Sequence, residues 1–228
     1  MIGVMLFTYD RLECARRTLD ALRSNLYTPE PLWMHIADDG SSQEYRDELL
    51  SIAHAYWGEN VSVTNTERKG YGASYNAATQ IVHHIADIVL PLEDDWELIR
   101  PLDITSIVQV LRDGKFGCVR LGYIGYTQEL RGKFIYSAGK HWLAFDPDSP
   151  EPHVFAGGPR LETVEYEQSI GPWPEGLAAG ITEFQVAHIR ASRIGVAWPV
   201  ELVNVRGDAF VHIGSREVKD EPLAVGVA

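Results

Sequence analysis

Three consecutive carboxylates, Glu93, Asp94 and Asp95, follow an apolar segment, residues 88–92, that is typical of a buried strand. Carboxylates this close together repel one another unless a cation lies among them, and oxygen ligands suit Mg²⁺ or Mn²⁺. In open α/β sheets, ligands also bind at the carboxyl ends of strands. The spacing alone equally allows a solvated turn whose acids cap the next helix. The junction therefore predicts either a metal site or an acidic turn at a strand end.

Strand-like and helix-like segments alternate through the first 95 residues in the order β-α-β-α-β-α-β. This alternation predicts an α/β fold in which helices flank a mostly parallel central sheet. Right-handed crossovers would place all four strand ends on one edge of the sheet. We therefore expect Asp39, Arg68 and residues 93–95 to line one crevice. The four predicted strands are residues 2–7, 32–37, 61–65 and 88–92.

Composition and charge exclude some classes of function. The formal net charge of −12 argues against a broad surface for binding a phosphate backbone, which needs clustered Lys and Arg. Cys14 and Cys118 are too few for a disulfide framework, so a reducing, cytoplasmic location is expected. No apolar segment reaches the roughly 18 residues that span a bilayer. The apolar start, residues 1–7, is too short for a signal peptide.

A glycine-rich segment with two cations, residues 67–73, precedes the third predicted helix. Backbone N–H groups around Gly70 and Gly72 would face an anion at the helix N-terminus, and Arg68 or Lys69 would add positive charge. A Gly-x-Gly pattern before a helix is often only a turn. The segment therefore predicts a phosphate-binding loop or a simple turn.

The second half of the chain is less regular. Residues 122–145 are rich in glycine and aromatic side chains, which is typical of extended segments or hairpins. Residues 171–176 contain two prolines and two glycines and are expected to form a mobile flap. Helices are predicted for residues 101–112, 160–168 and 183–191, and strands for residues 116–121, 194–205 and 210–214. We expect a single domain, residues 1–217, and a C-terminal tail, residues 218–228.

Four motifs in this order resemble those of the family-2-like glycosyltransferases of the GT-A fold. They are residues 4–11 (VMLFTYDR), 36–42 (IADDGSS), 68–76 (RKGYGASYN) and 92–95 (LEDD). Asp10 stands in place of the family's common Asn, and Glu93 replaces the first Asp of its Asp-x-Asp motif. The resemblance covers most of the chain and is strongest over residues 2–100. It implies one GT-A domain, with a nucleotide-sugar half (residues 1–100) and an irregular acceptor-side half (residues 101–217).

The resemblance also implies roles for individual residues. Glu93, Asp95 and His212 would hold Mn²⁺ or Mg²⁺, which stabilises the charge on the departing diphosphate. A single histidine in an apolar segment is also typical of a hydrogen-bonded core residue, so His212 has two interpretations. The residues implied at the donor nucleotide are Thr8, Tyr9, Arg11, Asp39, Arg68, Gly70 and Asp94.

An inverting transfer needs a base, which in this family is an Asp or Glu at the start of a helix in the second half. Glu183 matches this position, with Thr182 as the expected helix cap. A helix N-terminus favours an ionised carboxylate, so Glu183 would be charged at neutral pH. The alternative is that Glu183 only complements the helix dipole. Glu175 and Glu165 are the next candidates for the base.

The resemblance thus predicts a metal-dependent, inverting glycosyltransferase that takes a nucleotide-sugar donor. The hydroxyl acceptor is unidentified and could be a glycan, a lipid-linked sugar, a protein or a modified nucleobase. Two alternatives stay open: a non-catalytic nucleotide-sugar or glycan-binding module, and a sugar nucleotidyltransferase. The latter class carries a glycine-rich, cation-bearing loop after its first strand, where this chain has residues 8–11 (TYDR).

Overall fold

The computed structural model describes residues 1–122, 131–149, 158–187, 195–203 and 209–214. Its strands are β1 (Ile2–Thr8), β2 (Leu26–Tyr27), β3 (Leu32–Asp38), β4 (Val61–Asn65), β5 (Ile88–Glu93), β6 (Trp96–Leu98), β7 (Leu102–Asp103), β8 (Cys118–Arg120), β9 (Gly132–Ser137), β10 (Lys140–Phe145), β11 (Arg160–Thr163), β12 (Val196–Pro199) and β13 (Phe210–His212). Its helices are α1 (Leu12–Asn25), α2 (Gln43–Trp57), α3 (Tyr71–Val82), α4 (Thr105–Arg112), α5 (Val164–Ile170), α6 (Ala179–Gln185) and α7 (Val200–Val203). The predicted tail, residues 218–228, lies outside the described residues.

The largest sheet of the described residues has nine strands in the order β4-β3-β1-β5-β11-β8-β12-β10-β9. Strand β1 lies inside this sheet, and all seven of its residues are buried, as expected of a strand covered on both faces. It pairs in parallel with β3 and with β5, and β3 pairs in parallel with β4. The predicted α/β fold with a mostly parallel sheet flanked by helices is confirmed.

The register of these strands brings their polar ends together. Thr8 at the end of β1 pairs with Asp38 at the end of β3, and Phe7 pairs with Glu93 at the end of β5. Helix α3 packs closely behind β1, because a Cβ atom on Gly3 would lie only 2.3 Å from Cγ1 of Val82. The strand ends therefore form one edge, as the predicted alternation requires.

The second half differs from the predicted elements. Residues 160–168 are not one helix: Arg160–Thr163 forms β11, antiparallel to β5 and β8, and α5 begins only at Val164. The physical reason is a buried ion pair between Arg160 and Glu162, 3.1 Å apart. Residues two apart share a face of a strand, so both charges lie on the same side while Leu161 faces the other.

Two further predicted elements are shorter in the structure than in the sequence pattern. The helix predicted for residues 101–112 begins at Thr105, because Leu102–Asp103 pairs with Leu26–Tyr27 as a short strand. The extended segment predicted for residues 194–205 is a strand only over Val196–Pro199, and α7 begins at Val200; residues 194, 204 and 205 lie outside the described residues.

The late strand β13 returns to the first half of the chain. It pairs antiparallel with β6, so that His212 lies opposite Trp96, directly after the three carboxylates. No helix in the described part of the chain is long and apolar enough to cross a membrane.

Candidate active site

Three backbone hydrogen bonds fix the loops at the polar edge of the sheet. The Asp39 amide donates to the Thr8 carbonyl over 3.0 Å, and the Asp94 amide donates to the Phe7 carbonyl over 3.0 Å. The Ile213 amide donates to the Asp95 carbonyl over 2.8 Å. Residues from β1, β3, β5 and β13 are therefore held together at this edge.

A cavity of about 430 Å³ opens at this edge. Six of the seven residues that the sequence places at the donor nucleotide line it, and so does Glu93. The seventh, Asp94, is fully buried and contacts two of the lining residues, Thr8 and Arg11. The lining residues are Phe7, Thr8, Tyr9, Arg11, Ala37, Asp39, Arg68, Lys69, Gly70, Tyr71, Ser74, Glu93, Gly176, Leu177, Ala178 and Ala179.

The buried carboxylate of Asp39 organises one end of the cavity. It accepts hydrogen bonds from the Thr66 hydroxyl (2.7 Å) and from the Gly70 amide (3.0 Å), and the Arg68 guanidinium lies 3.5 Å away. Gly70 has φ of +89°, a conformation that suits glycine, and this turns its amide toward Asp39. The preceding Asp38 instead accepts from amides of its own turn, as expected from the sequence.

Tyr9 and Arg68 form one wall of the cavity. The central carbon of the Arg68 guanidinium lies 3.3 Å from the centroid of the Tyr9 ring, which is a close cation–π contact. Together they present a flat, polarisable surface and a positive charge beside Asp39. Such a surface suits a planar base with an N–H edge.

Asp94 anchors the floor of the cavity. Its carboxylate accepts a hydrogen bond from the Thr8 hydroxyl over 2.8 Å and forms an ion pair with Arg11, while Tyr45 hydrogen-bonds Thr8 from the other side. Burial raises the pKa of Asp94 to about 7, although the positive charge of Arg11 opposes this shift. Asp94 therefore fixes Thr8 and Arg11 at the cavity wall.

Glu93, Asp95 and His212 form a candidate metal centre. Each offers one ligand atom, and these atoms lie within 4.8 Å of one another. Within the described residues, Oδ1 of Asp95 is buried without a hydrogen-bond partner, while Oδ2 lies 2.6 Å from Arg11 and 3.2 Å from Nε2 of His212. Two carboxylates and an imidazole are a suitable donor set for Mn²⁺, so the residues fit a divalent cation.

Charge interactions at this cluster shift two pKa values. Burial disfavours ionised Asp95, but the hydrogen bond from His212 and the charge of Arg11 outweigh it and lower the pKa of Asp95. The same hydrogen bond raises the pKa of His212. Gly214 packs against this carboxylate so tightly that a Cβ atom there would lie 2.0 Å from Oδ2 of Asp95.

Glu183 reaches this cluster, but not from a helix N-terminus. Helix α6 begins at Ala179, and the expected cap Thr182 is a buried residue within the helix whose hydroxyl donates to the Pro174 carbonyl over 3.4 Å. The Glu183 carboxyl group lies beside that of Glu93. Burial raises the pKa of both groups, and repulsion by Glu183 raises the pKa of Glu93 further. The expected position of Glu183 at a helix N-terminus is therefore wrong, and burial opposes its ionisation.

The two other base candidates lie elsewhere. The Glu175 carboxylate accepts a hydrogen bond from Nδ2 of Asn76 over 2.8 Å. Glu165 lines a second cavity of about 560 Å³, together with Asp87 and Arg112, away from the carboxylate cluster. Of the three glutamates, Glu183 is the one that contacts Glu93.

Sequence reasoning missed the wall formed by residues 176–179. The expected mobile flap, residues 171–176, is instead held in place: the Asn76 side chain bonds both backbone groups of Trp173. Asn76 belongs to the third motif, but no role is predicted for it, because its partner Trp173 lies 97 positions away in the sequence.

The model of the Glycosyl transferase family 2 matches residues 4–156. The chain belongs to this family. The match includes all four motifs of the first half and the edge of the sheet at which the carboxylates gather.

Solved structures of glycosyltransferases share the fold of this family 2 member. S. aureus TarS 1–349 is 13% identical with a TM-score of 0.58, over 86% of this chain and 59% of that one. GalNAc-T7 with UDP, GalNAc and Mn²⁺ is 16% identical with a TM-score of 0.57, over 87% of this chain and 42% of that one. Mannosyltransferase PcManGT from Pyrobaculum calidifontis, in complex with GDP-Man and Mn²⁺, is 16% identical with a TM-score of 0.53. This match covers 86% of this chain and 56% of that one.

This family 2 chain spans less than two thirds of the length of each of these structures. A search of curated proteins finds no matching sequence. At these identities the structural likeness establishes the GT-A fold of the family 2 chain.

Proposed function

We propose that this chain is a metal-dependent glycosyltransferase that moves a sugar from a nucleoside diphosphate sugar to a hydroxyl acceptor with inversion. The observation that supports it most is that Asp39 and Glu93 line one cavity, while Glu93 also belongs to the cluster with Asp95 and His212 and lies beside Glu183. A base-binding end, an acidic cation site and a proton acceptor are the parts that such a transfer needs.

The nucleotide would bind at the Tyr9 end of the cavity. The base would lie against Tyr9, the Asp39 carboxylate would accept from its N–H edge, and Arg68 would move onto the phosphates. Three cationic side chains, Arg11, Arg68 and Lys69, line the cavity. GDP-Man and UDP in the related structures are nucleotides of this kind.

Glu93, Asp95 and His212 would hold Mn²⁺, or Mg²⁺ as an alternative. When bound, the cation neutralises charge on the diphosphate as it becomes the leaving group. Arg11 already neutralises Asp94 and Asp95, and would turn toward the diphosphate when the carboxylates take another partner. Nε2 of His212, which lies 3.2 Å from Oδ2 of Asp95, would turn from this carboxylate to the cation.

Glu183 would act as the base. The acceptor oxygen attacks the anomeric carbon, the bond from that carbon to the diphosphate oxygen breaks, and the acceptor proton passes to Glu183. In this role Glu183 must be ionised when the acceptor binds. Its raised pKa then makes it a stronger base at neutral pH than an exposed glutamate.

The protein would act in a reducing compartment such as the cytoplasm. Cys14 and Cys118 are both buried free thiols. Burial raises the pKa of Cys118, which makes that thiol less reactive.

The direct test is hydrolysis of donors without an acceptor. A panel of UDP-sugars and GDP-mannose is incubated with the protein in Mn²⁺, Mg²⁺ or a chelator, and release of UDP or GDP is measured. We expect release from one donor with Mn²⁺ and none with the chelator. Calorimetric binding of a donor without turnover on any acceptor would indicate a binding module instead.

A further inference from the structure

Residues 173–175 lie against one face of α3, although the two segments are far apart in the sequence. Tyr71 and Tyr75 of α3 contact the Trp173 ring, and Asn76 bonds the Trp173 backbone. A Cβ atom on Gly72 would lie 1.9 Å from the Pro174 carbonyl oxygen, so the helix backbone touches this segment directly.

The Asn76 side chain makes three hydrogen bonds to this segment. Its Oδ1 accepts from the Trp173 amide over 2.8 Å, and its Nδ2 donates to the Trp173 carbonyl over 3.0 Å. The same Nδ2 donates to Oε1 of Glu175 over 2.8 Å. A side-chain amide that bonds both groups of one residue imitates a strand partner, and it fixes position and orientation together.

Aromatic stacking continues the contact to the cavity. The Tyr75 ring lies between Trp173, at 4.0 Å and 18°, and Phe7, at 4.8 Å and 12°. Phe7 ends β1 and lines the donor cavity, and Trp173 is only 2% exposed. The stack therefore sets the distance between residue 173 and the cavity.

The clamped segment leads directly to Glu183. The Pro174 carbonyl accepts from the Thr182 hydroxyl, and the residues between them, 176–179, line the cavity. We propose that Asn76 is a positioning residue, whose three hydrogen bonds hold residues 173–175 so that Glu183 faces Glu93. The proposal rests on the proposed role of Glu183 as the base.

The test is a double-mutant cycle on Mn²⁺-dependent hydrolysis of the UDP-sugar or GDP-mannose that the full chain cleaves. Asn76→Ala is expected to lower kcat by about tenfold or more, because a small misplacement of a catalytic group is costly. In the Glu183→Gln background the same change is expected to cost less than about twofold, since the two residues act together. Equal losses in both backgrounds would overturn the proposal.

Two variants serve as matched controls. Asn25 also makes a long-range bond from its side chain, to the Leu98 carbonyl at 2.7 Å, but lies outside the cavity lining. Asn25→Ala is therefore expected to lower stability and leave kcat unchanged. Glu175→Gln keeps an acceptor for Asn76 and is expected to retain wild-type kcat. If Asn76→Ala loses no more activity than Asn25→Ala, the proposal is wrong.

Hydrogen exchange tests the contacts of Asn76 with residues 173–175 independently of the role of Glu183. In Asn76→Ala the Trp173 amide loses its acceptor, so exchange in residues 173–183 is expected to rise by about tenfold, while β1 stays protected. Unchanged exchange in residues 173–183 would show that Asn76 does not hold this segment, even if kcat falls. If Glu183→Gln hydrolyses the donor like wild type while exchange is faster in Asn76→Ala, Asn76 still holds residues 173–175. Glu183 is then rejected as the base.

Discussion

The carboxyl groups of Glu183 in α6 and of Glu93 at the end of β5 lie close enough together to interact. Two half-buried carboxyl groups in contact repel each other when both are ionised, so the charge of Glu183 disfavours the ionisation of Glu93. One of these groups belongs to the candidate cation site and the other is the proposed base. Their contact therefore couples the two chemical roles of the site.

Replacing Glu183 by Gln is expected to abolish transfer while donor binding persists. Glutamine keeps the shape of the side chain but cannot accept a proton, so donor hydrolysis in Mn²⁺ should fall by about a hundredfold or more. Calorimetry should give a nucleotide Kd within about threefold of wild type. Glu165→Gln, away from the site, is the matched control. Wild-type hydrolysis by Glu183→Gln would refute the assignment.

The cation site can be tested without removing a charge. An alanine Cβ at Gly214 would lie 2.0 Å from Oδ2 of Asp95, so the carboxylate must turn away. We expect Gly214→Ala to weaken Mn²⁺ binding by about tenfold, measured by calorimetry in the presence of UDP or GDP. Asp95→Asn should weaken it further. Glu97→Gln, which alters a surface ion pair with Arg17, should bind Mn²⁺ normally. Normal binding by Asp95→Asn would exclude this centre.

Two glycines provide opposite predictions for stability. An alanine at Gly72 would clash with the Pro174 carbonyl oxygen, and overpacking of this kind costs about 1–3 kcal/mol of unfolding free energy. Gly180 in α6 has no atom within 4 Å of an added Cβ, so alanine there should stabilise the protein by about 0.5–1 kcal/mol. Denaturant unfolding of both variants measures the difference. Equal stability would show that α3 does not press against residue 174.

The buried His35 predicts a loss of stability in mild acid. Burial lowers the pKa of His35 from 6.5 to about 4, and its ring contacts the hydroxyls of Ser62 and Thr64. Between these two pH values the unfolded chain binds the proton and the folded protein does not, so unfolding free energy falls as pH falls. The total loss of unfolding free energy over this pH range is about 3 kcal/mol. His35→Gln should remove this slope in guanidinium unfolding between pH 7 and 4. An equal pH dependence of the unfolding free energy in wild type and in His35→Gln would contradict this prediction.

The first half of the site follows from local patterns. Asp39 and residues 93–95 each come directly after an apolar segment, and parallel pairing places such positions on one edge. Gly70 was predictable too, because a glycine before a helix allows close approach to an anion. These features depend on neighbours in the sequence and on the handedness of crossovers.

The second half depends on contacts between distant positions. Arg160 and Glu162 look like residues of an exposed helix, yet both are fully buried as an ion pair in a strand. Glu183 was selected by its position in a motif, but its contact with Glu93 depends on how α6 packs. Asn76 was visible in the sequence, but only the fold reveals that its partner is Trp173.

The pairing of β13 with β6 makes the cation site a late product of synthesis. When the residues before 209 have left the ribosome, all residues that line the nucleotide cavity are available. His212 and Gly214, which contact Asp95, are not. A nascent or truncated chain would then hold a sugar nucleotide without the complete set of cation ligands. If the proposed function holds, cleavage of the donor would then wait until β13 pairs with β6.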